Sequence, residues 1–513
     1  MEVGAGRFER SLPRLQRLVQ GAAFLGLDME YTGLHSAFPE GKQLSLFDSP
    51  AERYLKARRS VQQFTVCQLG LSIFSSEKSN KYVAHSYNFF LFPTMFGALD
   101  SEFSFQASSI QFLTHYGFDY NKFLKDGIPY MNEVQEKKLQ QELFAGNWKV
   151  RSTLDKDRLK VVIDEVTRWV SSAEEGESMV VSDLTGFQIF EVQLILRRAL
   201  PGIWTKPFGD SEVIVEKMNP RHRWHLENTS CDFCRKEFIL LSAQGFTSLF
   251  QTLVKAKKPL VGHNMLMDLL HLHEKFYRPL PESYEEFKTN IHSLFPVIID
   301  TKNVTKSIWK ELKFPRACNL LETYEILCSD LNPTNPTCPV ISHASDCSKY
   351  VLLKVAHLLL CRMPCDTKEN GPSFSQYLNV LAKYLNQVNL IRASVSKINF
   401  SGADVSSRHL PLLIASVQGW PGVNEEQIYQ ELKGLCRFDV RQLTKNQFLL
   451  LSNNFKNVRV VLEDYKDYPN LRISFYHYWR HSPQVNCLLQ ICGIVASWSL
   501  LAFVLGGSLC QLV

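Results

Sequence analysis

Apolar residues in this chain come in short continuous runs that alternate with stretches of helical spacing. The first run, residues 22–34, is apolar except for two acids near its end and closes on a glycine, as a buried strand does when it ends in a site. Two more strand-like runs cover 64–74 and 82–92, and helical spacing follows over 104–124 and 159–170. Residues 174–210 interrupt the order with an acidic stretch, a predicted helix over 185–200 and a Pro/Gly loop, and read as an insertion. The alternation then resumes with a strand ending at 259–264, a helix over 265–276, a strand over 296–301 and an apolar helix over 351–360. Strands alternating with helices predict an α/β sheet with covered faces.

A polar break at 366–373 leads into a second unit, in the order strand 411–417, helix 425–435, strand 437–443, strand 447–451, helix 458–465, strand 471–478. This βαββαβ order is that of an RNA-recognition-motif sandwich. Phe438 and Phe448 are its candidate base-stacking residues, with a place in the core as the simpler assignment. Beyond Arg480 there is no Asp, Glu, Lys or Arg, and the 19 residues 487–505 are apolar except for Gln490, Ser497 and Ser499. As a helix that stretch covers roughly 28 Å, close to the hydrocarbon thickness of a bilayer. A buried terminal helix is the alternative, although a core helix of this length shows a polar face. The flank 475–480, rich in aromatic residues and ending on Arg480, suits a cytosolic interface. The expectation is a single C-terminal span with nearly all of the chain in the cytosol, on the mitochondrial outer membrane or the endoplasmic reticulum.

Composition adds little to this picture. A net charge of +6 permits a polyanionic partner without requiring one. Thirteen cysteines without the spacing of a disulfide scaffold, and an N-terminus with no basic-then-apolar segment, place the globular part in a reducing compartment. Cys231 and Cys234 follow His222 and His225, which are zinc-ligand types, but no second pair repeats the spacing and a loop is the simpler assignment.

The chemistry lies in the acids. Asp28 and Glu30, two apart on a strand, present carboxylates to one side of it. Two like charges held this closely are costly unless a cation lies between them, and hard oxygen ligands suit Mg²⁺ or Mn²⁺. A pair of such ions activates water and stabilises the leaving oxygen in phosphodiester cleavage. Asn264 and Asp268 stand four apart across a predicted strand-to-helix junction and project to one side, so Asp268 is able to reach an ion held by Asp28. His263 and Asp268 also read as a polar pair at a helix cap.

Three segments resemble, in the same order, the motifs of the poly(A)-specific ribonuclease (PARN) group of DEDD 3′ to 5′ exoribonucleases. They are residues 24–34, residues 261–268 with His271 and 276–281, and residues 295–302. With its C-terminal span, the chain is most similar to the membrane-anchored, piRNA-trimming branch of that group. The resemblance implies an RNase H-like DEDD exonuclease core over 1–150 and 241–365. It also implies a degenerate form of the family's inserted helical nucleic-acid domain over 151–240, without a clear Arg-x-x-x-His motif, an RRM-like α+β unit over 374–480 and a transmembrane tail over 485–507. Asp28, Glu30 and Asp268 become catalytic metal ligands of a two-metal Mg²⁺ site, with Mn²⁺ as the other candidate. Tyr31, His263 and Asn264 become substrate contacts, Tyr31 by stacking on a terminal base of a single-stranded RNA 3′ end. The implied partners are a Piwi-clade protein, a Tudor scaffold and a second copy of the chain.

One motif of that group is missing. Its last element is His-x4-Asp within His-Glu-x-x-Tyr-Asp-Ala, just before the final helix of the nuclease sheet, and here 351–360 follows directly on 346–350. No Asp after position 268 has a His five places before it; His343 and Asp346 offer only His-x2-Asp. The expectation is therefore an exoribonuclease fold with weak or no activity in this exact chain, the rival being a non-catalytic RNA- or scaffold-binding protein. A DNA exonuclease is disfavoured by the tail and the RRM-like unit.

Overall fold

Strand β1 (Glu2–Val3) is short, and the apolar run after it forms β2 (Phe24–Tyr31), the strand that carries both acids. β2 lies inside an eight-stranded mixed sheet with β3 (Val66–Glu77), β4 (Lys81–Pro93) and β5 (Ile128–Tyr130). After the insertion, which holds β6 (Ser178–Val181), β7 (Ile203–Phe208) and β8 (Glu212–Lys217), come β9 (Leu260–Gly262), β10 (Ile298–Asp300) and β11 (Val340–Ala344). The sheet runs β1-β4-β3-β2-β9-β10, with β5 and β11 also on β4. β2 pairs antiparallel with β3 and parallel with β9, so it is hydrogen-bonded on both edges. The outer edge of β4 is paired successively by β11 at Lys81–His85, β1 at Asn88–Phe89 and β5 at Leu91–Pro93, which closes an edge otherwise open to aggregation.

This is a computed structural model, and it describes residues 1–35, 44–77, 81–95, 99, 101–145, 153–227, 240–312, 322, 340–344, 374–405, 412–434, 438–452 and 455–509, except positions 185, 210, 421 and 467. Cys231, Cys234, Asp346, the side chain of His343 and the expected helix at 351–360 lie outside the described residues.

The chain forms two units. The first comprises residues 1–36, 54–390 and 397–404. The second unit, expected to start at 374, therefore begins later. Phe374 stacks on Phe24 at 5.0 Å, and Tyr377, Leu381 and Tyr384 share a core with Phe24, Phe74, Tyr82, Val261 and Ile299. A hairpin of β12 (Gln387–Asn389) and β13 (Lys397–Asn399) completes this part. Apolar side chains at 374–384 fit the sheet they pack on, whereas sequence order alone assigns them to whatever follows.

The insertion, expected to be helical, is mixed. Helices Thr153–Ser172, Gly186–Ala199 and Pro220–Glu227 accompany an antiparallel sheet in the order β6-β8-β7. Its strands have four to six residues, too few for alternation to stand out from a loop. Val181, Ile203, Val213 and Val215 form its core with Val166, Val192 and Leu196. Arg221 and His225 stand four apart on the Pro220–Glu227 helix, so the Arg-x-x-x-His spacing not expected here is present.

The second unit comprises residues 37–53, 391–396 and 405–513. Strands β14 (Leu412–Val417), β15 (Asp439–Thr444), β16 (Gln447–Leu451) and β17 (Leu471–Phe475) form an antiparallel sheet in the order β15-β16-β14-β17, with helices Glu425–Lys433 and Phe455–Asp464. Phe438 and Phe448 are buried among Leu413, Ile428, Leu450 and Val461, so both belong to the core. The Asp439 carboxylate accepts the Leu46 N–H at 2.6 Å and pairs with Arg392, which ties the two short segments to this sheet. The unit ends in a 27-residue helix, Pro483–Leu509, whose Pro483–Phe503 part is long and apolar enough to cross a membrane.

Candidate active site

β2 is apolar because both its faces are covered, and Asp28 is its exception. Phe24, Leu25, Leu27 and Met29 are buried, whereas Asp28 is exposed and Glu30 half-buried. The period-two alternation of a strand puts these two acids on one side. Neither has a basic partner among the described residues. Burial and the neighbouring Asp28 charge push the Glu30 carboxyl up to about 7. Opposite the Glu30–Tyr31 step the pairing shifts register, from Glu30↔Gln68 to Tyr31↔Val66. The bulge re-aims the end of β2.

Tyr31 bridges to the third acid. Its hydroxyl donates to Asp268 Oδ1 at 2.7 Å, and its ring lies on His271 at 4.2 Å with planes 24° apart. Burial and the charges of Asp268, Asp28 and Glu30 hold the phenol well above its ordinary pKa, so it keeps its proton. Tyr31 was expected to stack on a base, but it is 8% exposed with a ring face covered by His271. Its hydroxyl and one ring face are engaged by Asp268 and His271. His271 is fully buried and neutral, its pKa lowered to about 3 by burial and Lys275. Nδ1 donates to the Met267 carbonyl at 2.9 Å, which leaves Nε2 as the unprotonated nitrogen, with no hydrogen-bond partner.

Asp268 sits in the first turn of the Leu266–His271 helix, which continues as a π-helix over Leu272–Tyr277. The junction from β9 is built for close approach. A Cβ on Gly262 would lie 2.7 Å from Met265 Cγ and 3.0 Å from the Leu27 carbonyl oxygen, so only glycine lets the junction pack against β2. Asn264 turns the chain in the left-handed region at φ 62°, which Asn tolerates better than most residues. The fully buried Asp300 holds this turn. Its carboxylate accepts backbone N–H groups of Asn264 (2.9 Å), Met265 (3.3 Å), Lys302 (2.9 Å) and Asn389 (2.8 Å). His263 and Asn264, expected to contact substrate, are bonded within this scaffold: His263 Nδ1 lies 3.0 Å from Thr301 Oγ1, and Asn264 Oδ1 accepts from Asn389 Nδ2 at 2.7 Å. Burial and the charges of Lys302 and Lys306 lower His263 to about 4, so it is neutral. Sequence reasoning missed both Asp300 and Asn389. The Asp-Thr-Lys ending of the third motif was the available signal for the first; nothing local marks the second.

Gln106 was missed as well. Its Oε1 accepts the Leu34 N–H at 3.0 Å and its own N–H donates to Thr32 at 2.8 Å, which fastens the start of the Ala107–His115 helix to the end of β2. Ile110 and Phe112 are exposed on that helix, at 37% and 56%. Among the described residues no three His, Cys, Asp or Glu side chains close into a ready cation site. The donor set nevertheless fits a hard divalent cation: Asp28 and Glu30 present carboxylates to one side of β2, where burial and the Asp28 charge raise Glu30, and Tyr31 hydrogen-bonds the third acid, Asp268.

The profile of the CAF1 family ribonucleases matches residues 3–359. The chain belongs to that family. Among CAF1-family relatives, poly(A)-specific ribonuclease PNLDC1 of Mus musculus is 62% identical over 528 residues, covering 99% of each chain. The pre-piRNA 3′-exonuclease trimmer of Bombyx mori is 29% identical over 525 residues, 97% of this chain and 96% of that one. A solved structure of S. pombe Pop2p in its Mg²⁺- and Mn²⁺-bound form matches at 14% identity and a TM-score of 0.36, over 75% of this chain and 97% of that one. The chain is thus a PARN-like exoribonuclease of the DEDD type, related to the piRNA trimmer.

Proposed function

We propose that this protein shortens single-stranded RNA from its 3′ end at a centre formed by Asp28, Glu30 and Asp268. The observation that carries this reading is the placement of the carboxylates: Asp28 and Glu30 lie on one side of β2, burial and the Asp28 charge raise Glu30, and Tyr31, the next residue, hydrogen-bonds Asp268. Asp28, Glu30 and Asp268 would hold Mg²⁺ or Mn²⁺, which when bound supplies positive charge at the scissile phosphate and acidity to a water. The chain's own residues do the positioning. Asp300 and Asn389 fix the turn before Asp268, and Tyr31 holds its carboxylate. Exposed Ile110 and Phe112, on the helix fastened by Gln106, supply apolar surface for the last bases. The names of the relatives divide between poly(A) and pre-piRNA, and both are single-stranded RNA 3′ ends.

The Pro483–Leu509 helix anchors the chain in a membrane, with the catalytic part cytosolic. A Piwi-clade protein that holds the RNA 5′ end, a Tudor scaffold and a second copy of the chain are the partners implied by the family resemblance.

A second reading rests on the missing His-x4-Asp element. The alignment with the mouse relative spans 528 positions against 513 residues here, so the relative has positions with no counterpart in this chain. Without a positioned base the reaction loses about 10² to 10⁴ in rate, so this chain binds RNA more than it cuts. An RNA labelled at its 5′ end, incubated with and without Mg²⁺, separates the two. A Mg²⁺-dependent ladder supports the enzyme, and an unshortened but shifted band supports the binder. Reading the transcript across codons 346–352 shows whether an in-frame segment encoding the motif belongs there; full trimming by the 513-residue chain would refute the loss. Asp28→Ala that leaves metal-dependent cleavage intact in a competent enzyme refutes the site.

A further inference from the structure

We propose that the Tyr31 hydroxyl is a positioning group that sets the divalent-cation affinity of the acidic centre by holding Asp268 in one orientation. This deepens the reading above, because it requires Asp268 to be a cation ligand.

Two observations carry it. The phenol oxygen lies 2.7 Å from Asp268 Oδ1, and both side chains are buried, at 8% and 6% exposure. A carboxylate taken out of water in this way depends on the few donors that reach it. The Tyr31 ring is itself clamped. His271 lies flat on it, and the imidazole is in turn held by its Nδ1–H on the Met267 carbonyl. Tyr31 therefore cannot swing away without breaking a buried stack.

The same chain of contacts links the two halves of the site. Tyr31 follows Glu30 directly on β2, while Asp268 and His271 belong to the helix after β9. A bond from the first to the second fixes the separation of Glu30 from Asp268. Groups that orient metal ligands in this way change metal affinity by about 10- to 100-fold when they are removed. A phenylalanine at position 31 would preserve the stack on His271 and remove only this bond.

The test is Mn²⁺ binding to the full-length, metal-free chain in detergent micelles, by titration calorimetry and by the rise in melting temperature on adding Mn²⁺. Wild type, Tyr31→Phe and Asp268→Asn are compared. We expect Tyr31→Phe to bind Mn²⁺ about 10- to 100-fold more weakly, with a metal-free melting temperature close to that of wild type. Excess Mn²⁺ should restore the full thermal shift, which a merely structural role would not allow. Affinity within twofold of wild type overturns the proposal, and so does loss of cooperative melting, which would make the hydroxyl structural. Asp268→Asn with wild-type Mn²⁺ binding overturns the underlying reading of the site instead, since Tyr31 then has no ligand to position.

Discussion

The buried carboxylate of Asp300 accepts the backbone N–H of Asn264 at 2.9 Å, across the junction between β10 and the turn that follows β9. The same group receives three more backbone N–H groups, one of them from Asn389, far along the chain. A carboxylate at this point is an acceptor hub for a turn that has no strand partner of its own. Removing it leaves several buried donors unmade, each costing about 1–3 kcal/mol. Asp300→Ala should therefore lose about 3 kcal/mol or more in urea unfolding. A loss below about 1 kcal/mol would mean that water replaces the carboxylate.

Acid should destabilise the first unit through its buried histidines. His263, His271 and His273 are held near 4, 3 and 4, mainly by burial. Unfolded, each takes up a proton near 6.5. Between about 6.5 and 4 the unfolded chain thus binds more protons than the folded one, and stability present at neutral pH is lost as pH falls. At His273 the cause is visible: Nδ1 donates to the Arg278 carbonyl and Nε2 accepts from Asn290, so a second ring proton would face an amide N–H. His273→Gln should flatten the slope of melting temperature against pH over that window, and an unchanged slope would remove His273 from the cause.

In the second unit, Phe448 should matter for stability and not for RNA. It is fully buried in the core between sheet and helices. Phe448→Leu is expected to cost about 1–2 kcal/mol, while the affinity for single-stranded RNA in a filter-binding assay stays at the wild-type value. A drop in affinity at full folding would return the residue to the base-contacting surface.

Deletion of residues 481–513 should release the protein from membranes with both units folded. The Pro483–Leu509 helix exposes Trp498 at 69% and Phe503 at 83%, apolar surface that water does not favour. Carbonate extraction distinguishes the outcomes: a truncated chain that still pellets with membranes has another anchor.

By itself the sequence determined what local chemistry can determine. Period-two spacing put Asp28 and Glu30 on one side of a buried strand, the apolar tail announced a long exposed helix, and the order of the second unit was legible in its alternation of periods. The family resemblance singled out Asp268, and sequence spacing showed only that it could reach the others. Tertiary structure decided the rest, because each deciding contact joins residues distant in sequence. Tyr31 meets Asp268 across 237 positions, and Asn389 meets Asn264 across 125. Nothing near Tyr31 in the chain shows that its hydroxyl faces a carboxylate and its ring an imidazole. Residues 374–384 joined the nuclease core for the same reason: an apolar segment goes to the surface that it fits, and that surface exists only once β2, β9 and β10 lie side by side.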